Sequence, residues 1–146
     1  MDDLVQWLRE QLDEDERVAR AATERQPYDQ WDAVGDDREG ETARTFWSVV
    51  HIASMERTPA ARDLATFIAA QDPARVLREV DAKRRLLDLH HVVGGWEGED
   101  GNGLGHGCEE CGHSMEYSGQ GGWCETVRVL ALPYADRPGY HPEWRP

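Results

Sequence analysis

The stretch that most constrains this chain is Cys108-Glu109-Glu110-Cys111-Gly112, set where there is almost nothing else to fold around. Between Gly94 and Gly122 lie eleven of the fourteen glycines, and between Val92 and Glu125 there are acids but no lysine or arginine. Such a segment buries too little apolar surface to offset the entropy of ordering it. Something other than a core must tie it down. Two residues between the cysteines bring both thiolates to one side of a tight turn, and the glycine that follows permits an unusual backbone dihedral. Cys124 adds a third thiolate at the start of the last apolar element, where a helix N-terminus would help keep it deprotonated.

Zinc takes four soft or borderline donors in a tetrahedron, so a fourth ligand is needed. Four histidines compete for the place. His90 closes the long helix just before the glycine-rich loop, and using it would tie that helix to the knuckle and to Cys124. His91 is its neighbour, whereas His113 and His106 stand two residues from a cysteine and are awkward to fold back onto the same ion. The order of preference is His90, then His91 and His113, then His106. The expected site is therefore Cys108, Cys111, Cys124 and His90 around Zn. A redox CxxC normally opens a helix after a strand in a βαβ pattern, which is not found here. A catalytic zinc keeps an open position, and three thiolates would blunt its Lewis acidity, so a structural ion is the better reading.

Composition supports a reduced compartment. Three cysteines without a secretion signal point to a metal rather than to disulfides. The expected location is cytoplasmic, because Met1-Asp2-Asp3 is acidic where a signal peptide is basic and no apolar run approaches the length of a membrane span. With 16 basic and 29 acidic residues the formal charge is −13, which disfavours a phosphate backbone or an anionic membrane as partner. A protein partner is expected instead.

Along the chain, residues 2–24 read as a helix capped by Asp2 or Asp3, with Leu4, Val5, Leu8, Leu12, Ala19 and Ala22 on one stripe. The run Asp13-Glu14-Asp15-Glu16 interrupts it, and Asp15 projects toward the apolar side. Residues 25–42 form a connector that Trp31 would anchor. A second helix is expected from Glu41 to Met55, carrying Phe46, Trp47, Val50 and Ile52, with His51 as a packed histidine. Another follows Pro59, using Leu64, Phe67 and Ile68 for packing. Asp72-Pro73 is a strong helix start, an N-cap aspartate before proline, and the helix Ala74–His91 is the best-signalled element. Five basic residues (Arg75, Arg78, Lys83, Arg84, Arg85) against four acids make residues 72–91 net +1, read as a solvated face that pairs with the acidic remainder. Cys124–Tyr134 suits a helix, though the alternation of Val127 and Val129 also permits a strand. Tyr140 and Trp144 would staple a proline-rich tail to the surface.

No nucleophile motif, P-loop or Rossmann glycine pattern is visible. The acids Glu10, Asp13, Glu14 and Asp15 faintly resemble the carboxylate-rich helices of all-α nucleotide pyrophosphohydrolases, but the second acidic helix is missing. A metal- or carboxylate-dependent hydrolase is therefore the alternative to a binding or regulatory protein.

Three blocks together resemble a family of small actinobacterial and actinophage proteins of unknown function. They are Leu8-Arg9-Glu10-Gln11-Leu12-Asp13-Glu14-Asp15-Glu16 with Ala21-Ala22-Thr23, then Asp72-Pro73-Ala74-Arg75-Val76-Leu77-Arg78-Glu79-Val80 through Lys83-Arg84-Arg85, and Leu130-Ala131-Leu132-Pro133-Tyr134-Ala135-Asp136-Arg137-Pro138-Gly139-Tyr140. The resemblance implies a CxxC-type pair and a cysteine ahead of the final block, which Cys108, Cys111 and Cys124 match, and a histidine closing the long helix, which His90 matches. It implies a phage or mobile-element setting and no particular activity. The chain departs from the family at Gln26-Pro27-Tyr28 and in its glycine-rich loop.

The resulting expectation is a mainly α single domain, residues 1–146. Its helical core would span 2–91 and 124–136, and a zinc knuckle would close the Gly-rich loop 92–123. Residues 137–146 would form an extended tail.

Overall fold

The computed structural model describes residues 4–24, 32–36, 40–45, 48–51, 63, 66–119 and 121–146. Helix α1 spans Leu4–Glu24, and a three-stranded antiparallel sheet follows, made of β1 (Asp32–Asp36), β2 (Gly40–Thr45) and β3 (Ser48–His51). Helix α2 spans Pro73–Leu89 and leads into the hairpin β4 (Val92–Glu97) and β5 (Gly103–Cys108). Two short helices, α3 (Met115–Gly119) and α4 (Glu125–Ala131), precede 3-10 turns at Leu132–Tyr134 and Pro142–Trp144. Among the described residues no helix is long and apolar enough to cross a membrane.

This is a mixed α/β chain, and the mainly α expectation is corrected in two places. The region expected as a helix from Glu41 to Met55 holds β2 and β3, paired with Thr42 opposite His51 and Thr45 opposite Ser48. Thr42, Thr45, Val49 and Val50 are β-branched, and the stiffness of such side chains at χ1 favours a strand over a helix. The second correction is the hairpin β4–β5, which occupies ground expected to be coreless loop. Its order comes from backbone hydrogen bonds rather than from buried side chains. The expected cap at Asp2 or Asp3, the anchor Trp31, and Phe46, Trp47, Ile52 and Leu64 lie outside the described residues.

The chain divides into two compact units: Glu14–Val80, and Met1–Asp13 with Asp81–Pro146. In the first, Asp72 caps α2 as its sequence demands: the Arg75 backbone N–H donates to Asp72 Oδ1 at 2.6 Å, and Pro73 takes the first helical position. A helical turn at residues 66–69 precedes the cap, and there Phe67 is 64% exposed rather than packed.

The other unit carries the three cysteines and is built on Leu4, Leu8, Leu12, Leu87 and Val127, all fully buried or nearly so. Each such side chain contributes roughly 1.5–3 kcal/mol by leaving water. The tail is held by aromatic contacts: the Trp7 ring lies 5.6 Å from Tyr140 and 5.3 Å from Trp144, and Trp7 Nε1 donates to the Pro138 carbonyl at 3.1 Å. Lys83 Nζ donates to the Tyr134 hydroxyl at 2.9 Å, and the Arg137 guanidinium lies 4.7 Å from the same ring. The buried Arg128 joins three segments at once. It donates to Glu116 Oε1 at 2.9 Å, to the Trp144 carbonyl at 3.4 Å and to the Arg145 carbonyl.

Removing a buried, multiply hydrogen-bonded arginine strands its acceptors. Arg128→Ala is expected to lower unfolding stability by about 3 kcal/mol, read from urea denaturation. Val129→Ala, one residue on and half-exposed, is expected to change it by less than about 0.5 kcal/mol.

Candidate metal centre

Three separate segments converge at one end of this unit. Helix α2 ends at Leu89, and the His90 backbone N–H still bonds to the Leu86 carbonyl at 3.0 Å, which fixes the residue's direction. Strand β5 delivers Cys108 at its last position, paired with Val92 of β4. The chain then folds back at once. Cys108 N–H donates to the Gly112 carbonyl at 3.0 Å and Gly112 N–H returns to the Cys108 carbonyl at 2.9 Å. Gly112 has φ +80°, a conformation that favours glycine and explains the residue after the second cysteine. Cys124 stands as the N-cap of α4 with extended backbone.

The knuckle is braced from both sides. The Cys111 backbone N–H lies 3.5 Å from Cys108 Sγ, and the Glu109 N–H donates to the His91 carbonyl at 3.1 Å. Close approach demands a small residue just before Cys108: a Cβ on Gly107 would sit 2.8 Å from Trp96 Nε1 and 2.9 Å from the Gly112 carbonyl oxygen.

The donor atoms meet. His90 Nδ1 lies 3.4 Å from Cys108 Sγ, 3.4 Å from Cys111 Sγ and 3.6 Å from Cys124 Sγ. All four donor atoms fall within 4.8 Å of one another. Bonds of about 2.3 Å to sulfur and about 2.0 Å to nitrogen at the tetrahedral angle would place sulfur roughly 3.5 Å from nitrogen. The observed spacings match that edge, so the residues fit a four-coordinate ion of zinc's size. Three thiolates and an imidazole are soft or borderline donors, unlike the oxygen sets that hold calcium or magnesium.

Electrostatics point the same way. Loss of hydration and the neighbouring Cys124 and Cys108 thiols push the Cys111 thiol up to about 12. Cys111 is exposed as a residue while Cys108 and Cys124 are buried, yet its sulfur faces the other two at the cluster. Clustered thiols resist ionising together, and a cation among them reverses that preference.

The other histidines stand elsewhere. His91 Nδ1 bonds to the Asp88 carbonyl at 2.9 Å, and His113 Nε2 bonds to the Leu104 carbonyl at 2.8 Å. His106 sits exposed on β5. The acids of α1 do not converge either: Asp13 pairs with Arg84 at 2.6 Å, Glu14 with Arg17 at 2.6 Å, and Glu10 accepts from Gln6 at 3.3 Å. Asp15 is half-buried. Among the described residues the histidine and three cysteines are the one such donor group.

Sequence reasoning missed Arg128, because an arginine on an amphipathic helix reads as solvated. It also missed the hairpin that carries Cys108 into place. The proximity of CxxCG to a chain of glycines was the available signal, since close backbone approach needs residues without a Cβ.

Comparison with curated proteins and with solved structures finds no match. The model of the Family of unknown function (DUF6221) matches residues 1–146, and the chain belongs to that family.

Proposed function

We propose that this is a zinc-stabilised binding or regulatory protein in which the ion is structural and the working surface contacts another protein. The observation that carries the reading is the set of three Sγ atoms at 3.4, 3.4 and 3.6 Å from His90 Nδ1. Four protein donors fill zinc's tetrahedron and leave no position for a water or substrate. His90, Cys108, Cys111 and Cys124 would hold the ion, which would supply charge neutralisation and cross-linking rather than chemistry on a substrate. A formal charge of −13 supports a protein partner with a basic face. Three thiolates kept as ligands support a reducing compartment such as the cytoplasm. The resemblance to actinophage proteins supports a phage or mobile-element setting.

Mass spectrometry of the intact protein is expected to show one zinc per chain, absent in Cys108→Ser and weakened in His90→Ala. His91→Ala, whose ring is turned to the Asp88 carbonyl, is expected to keep the ion. Zinc-free wild type would defeat the reading.

Metal binding is folding energy where the site closes loops that lack a core. Chelation of the ion is therefore expected to lower the melting temperature by about 10 °C or more, followed by circular dichroism. A melting curve unmoved by complete metal removal would show that the ion does not hold the fold.

The partner is tested by affinity capture at low and high salt. A specific protein retained at low salt and released as salt rises is the expected result; no specific protein at any salt would count against a protein partner.

A further inference from the structure

Beside the metal cluster, within the same unit, lies a groove of about 980 Å³, the scale of small-molecule sites. Its ionisable lining is rich in histidine and carries no acidic excess, unlike the chain as a whole. Arg9, His91, His106 and His141 line it, with Glu143 as the one carboxylate among its lining residues, in a protein with 29 acids and 16 basic residues. Three of the six histidines are gathered there.

Some of these groups are already engaged. His141 Nδ1 lies 3.4 Å from Glu143 Oε1, and Arg9 Nη2 lies 3.1 Å from Asp88 Oδ1. The other two imidazoles differ. His91 Nδ1 donates to the Asp88 carbonyl at 2.9 Å, so the second nitrogen of the neutral ring is an acceptor and does not suit an anion. His106 has no hydrogen bond or ion pair among the described residues, and its Cβ is set by close packing, since a Cβ on Gly122 would fall 2.9 Å from it.

Of the two indoles in the remaining lining, Trp123 is part-exposed and Trp144 is buried. Trp123 and Trp144 meet edge to face with centroids 6.3 Å apart, and the His141 ring lies 4.6 Å from that of Trp144. Val5 and Val92 complete the apolar side. Indole faces favour planar rings, and imidazole N–H groups favour an anionic oxygen.

We propose that this groove binds a small planar aromatic anion, with its ring against Trp123 and its acidic group toward His106. The proposal does not depend on which ion the cysteines hold.

The test uses two fluorescent probes of similar shape on the metal-loaded protein: 8-anilinonaphthalene-1-sulfonate, which is anionic, and N-phenyl-1-naphthylamine, which is neutral. Titration is expected to show one sulfonate per chain, bound more tightly than the neutral probe. His106→Glu places a carboxylate against the bound charge at an exposed position. It is expected to weaken the sulfonate about tenfold while changing the neutral probe by less than about twofold, with metal content retained; His106→Gln is expected to fall between. Equal affinity for the two probes, or sulfonate binding unchanged in His106→Glu, would overturn the proposal. The neutral probe and the metal content also report any loss of fold in the variants, independently of the anion.

Discussion

Convergence of His90, Cys108, Cys111 and Cys124 is the constraint on which this end of the molecule depends. The three segments that meet there differ in how well they could stand alone. Helix α2 has a capped start and the buried Leu87 near its end. The hairpin β4–β5 has glycine at Gly94, Gly95, Gly103, Gly105 and Gly107 and buries few side chains. Helix α4 is seven residues long, far below the length at which an isolated helix persists. A metal ion held by the four donors would cross-link these segments and add to the apolar contacts of Leu87 and Val127.

The second device is Arg128. Its guanidinium binds a side chain of α3 and two carbonyls of the tail, so charge-assisted hydrogen bonds fasten the region after the knuckle in addition to the burial of Val127, Ala131, Tyr134 and Trp144. The indoles of Trp7, Trp123 and Trp144 then close the tail over α1. The histidine–cysteine cluster, Arg128 and the aromatic contacts belong to one compact unit, and the histidine-lined groove opens in the same unit.

Parts of this architecture were legible in the sequence because a single residue type dictates the local outcome. Asp72-Pro73 announces the start of α2, and the stripe Leu4, Leu8 and Leu12 announces the buried face of α1. The spacing Cys108, Cys111, Gly112 anticipates a tight turn, and the structure has one. The helix of Cys124–Tyr134 is present as α4 and a 3-10 turn. The strands were hidden for two different reasons. In β2 and β3 a few apolar residues at helical spacing outweighed the β-branched threonines and valines beside them. In β4 and β5 glycine erases the alternation that marks a strand, and the pairing rests on backbone groups that every residue has. The groove was invisible because its histidines are spread from His91 to His141, brought together by tertiary contacts alone.

The most direct measurement is zinc K-edge X-ray absorption on the purified protein. The account predicts three sulfur scatterers at about 2.3 Å and one nitrogen at about 2.0 Å. That shell should become one sulfur poorer in Cys111→Ser and lose its imidazole signature in His90→Ala. A shell of oxygen and nitrogen with no sulfur, or an open position filled by water in the wild type, would contradict it.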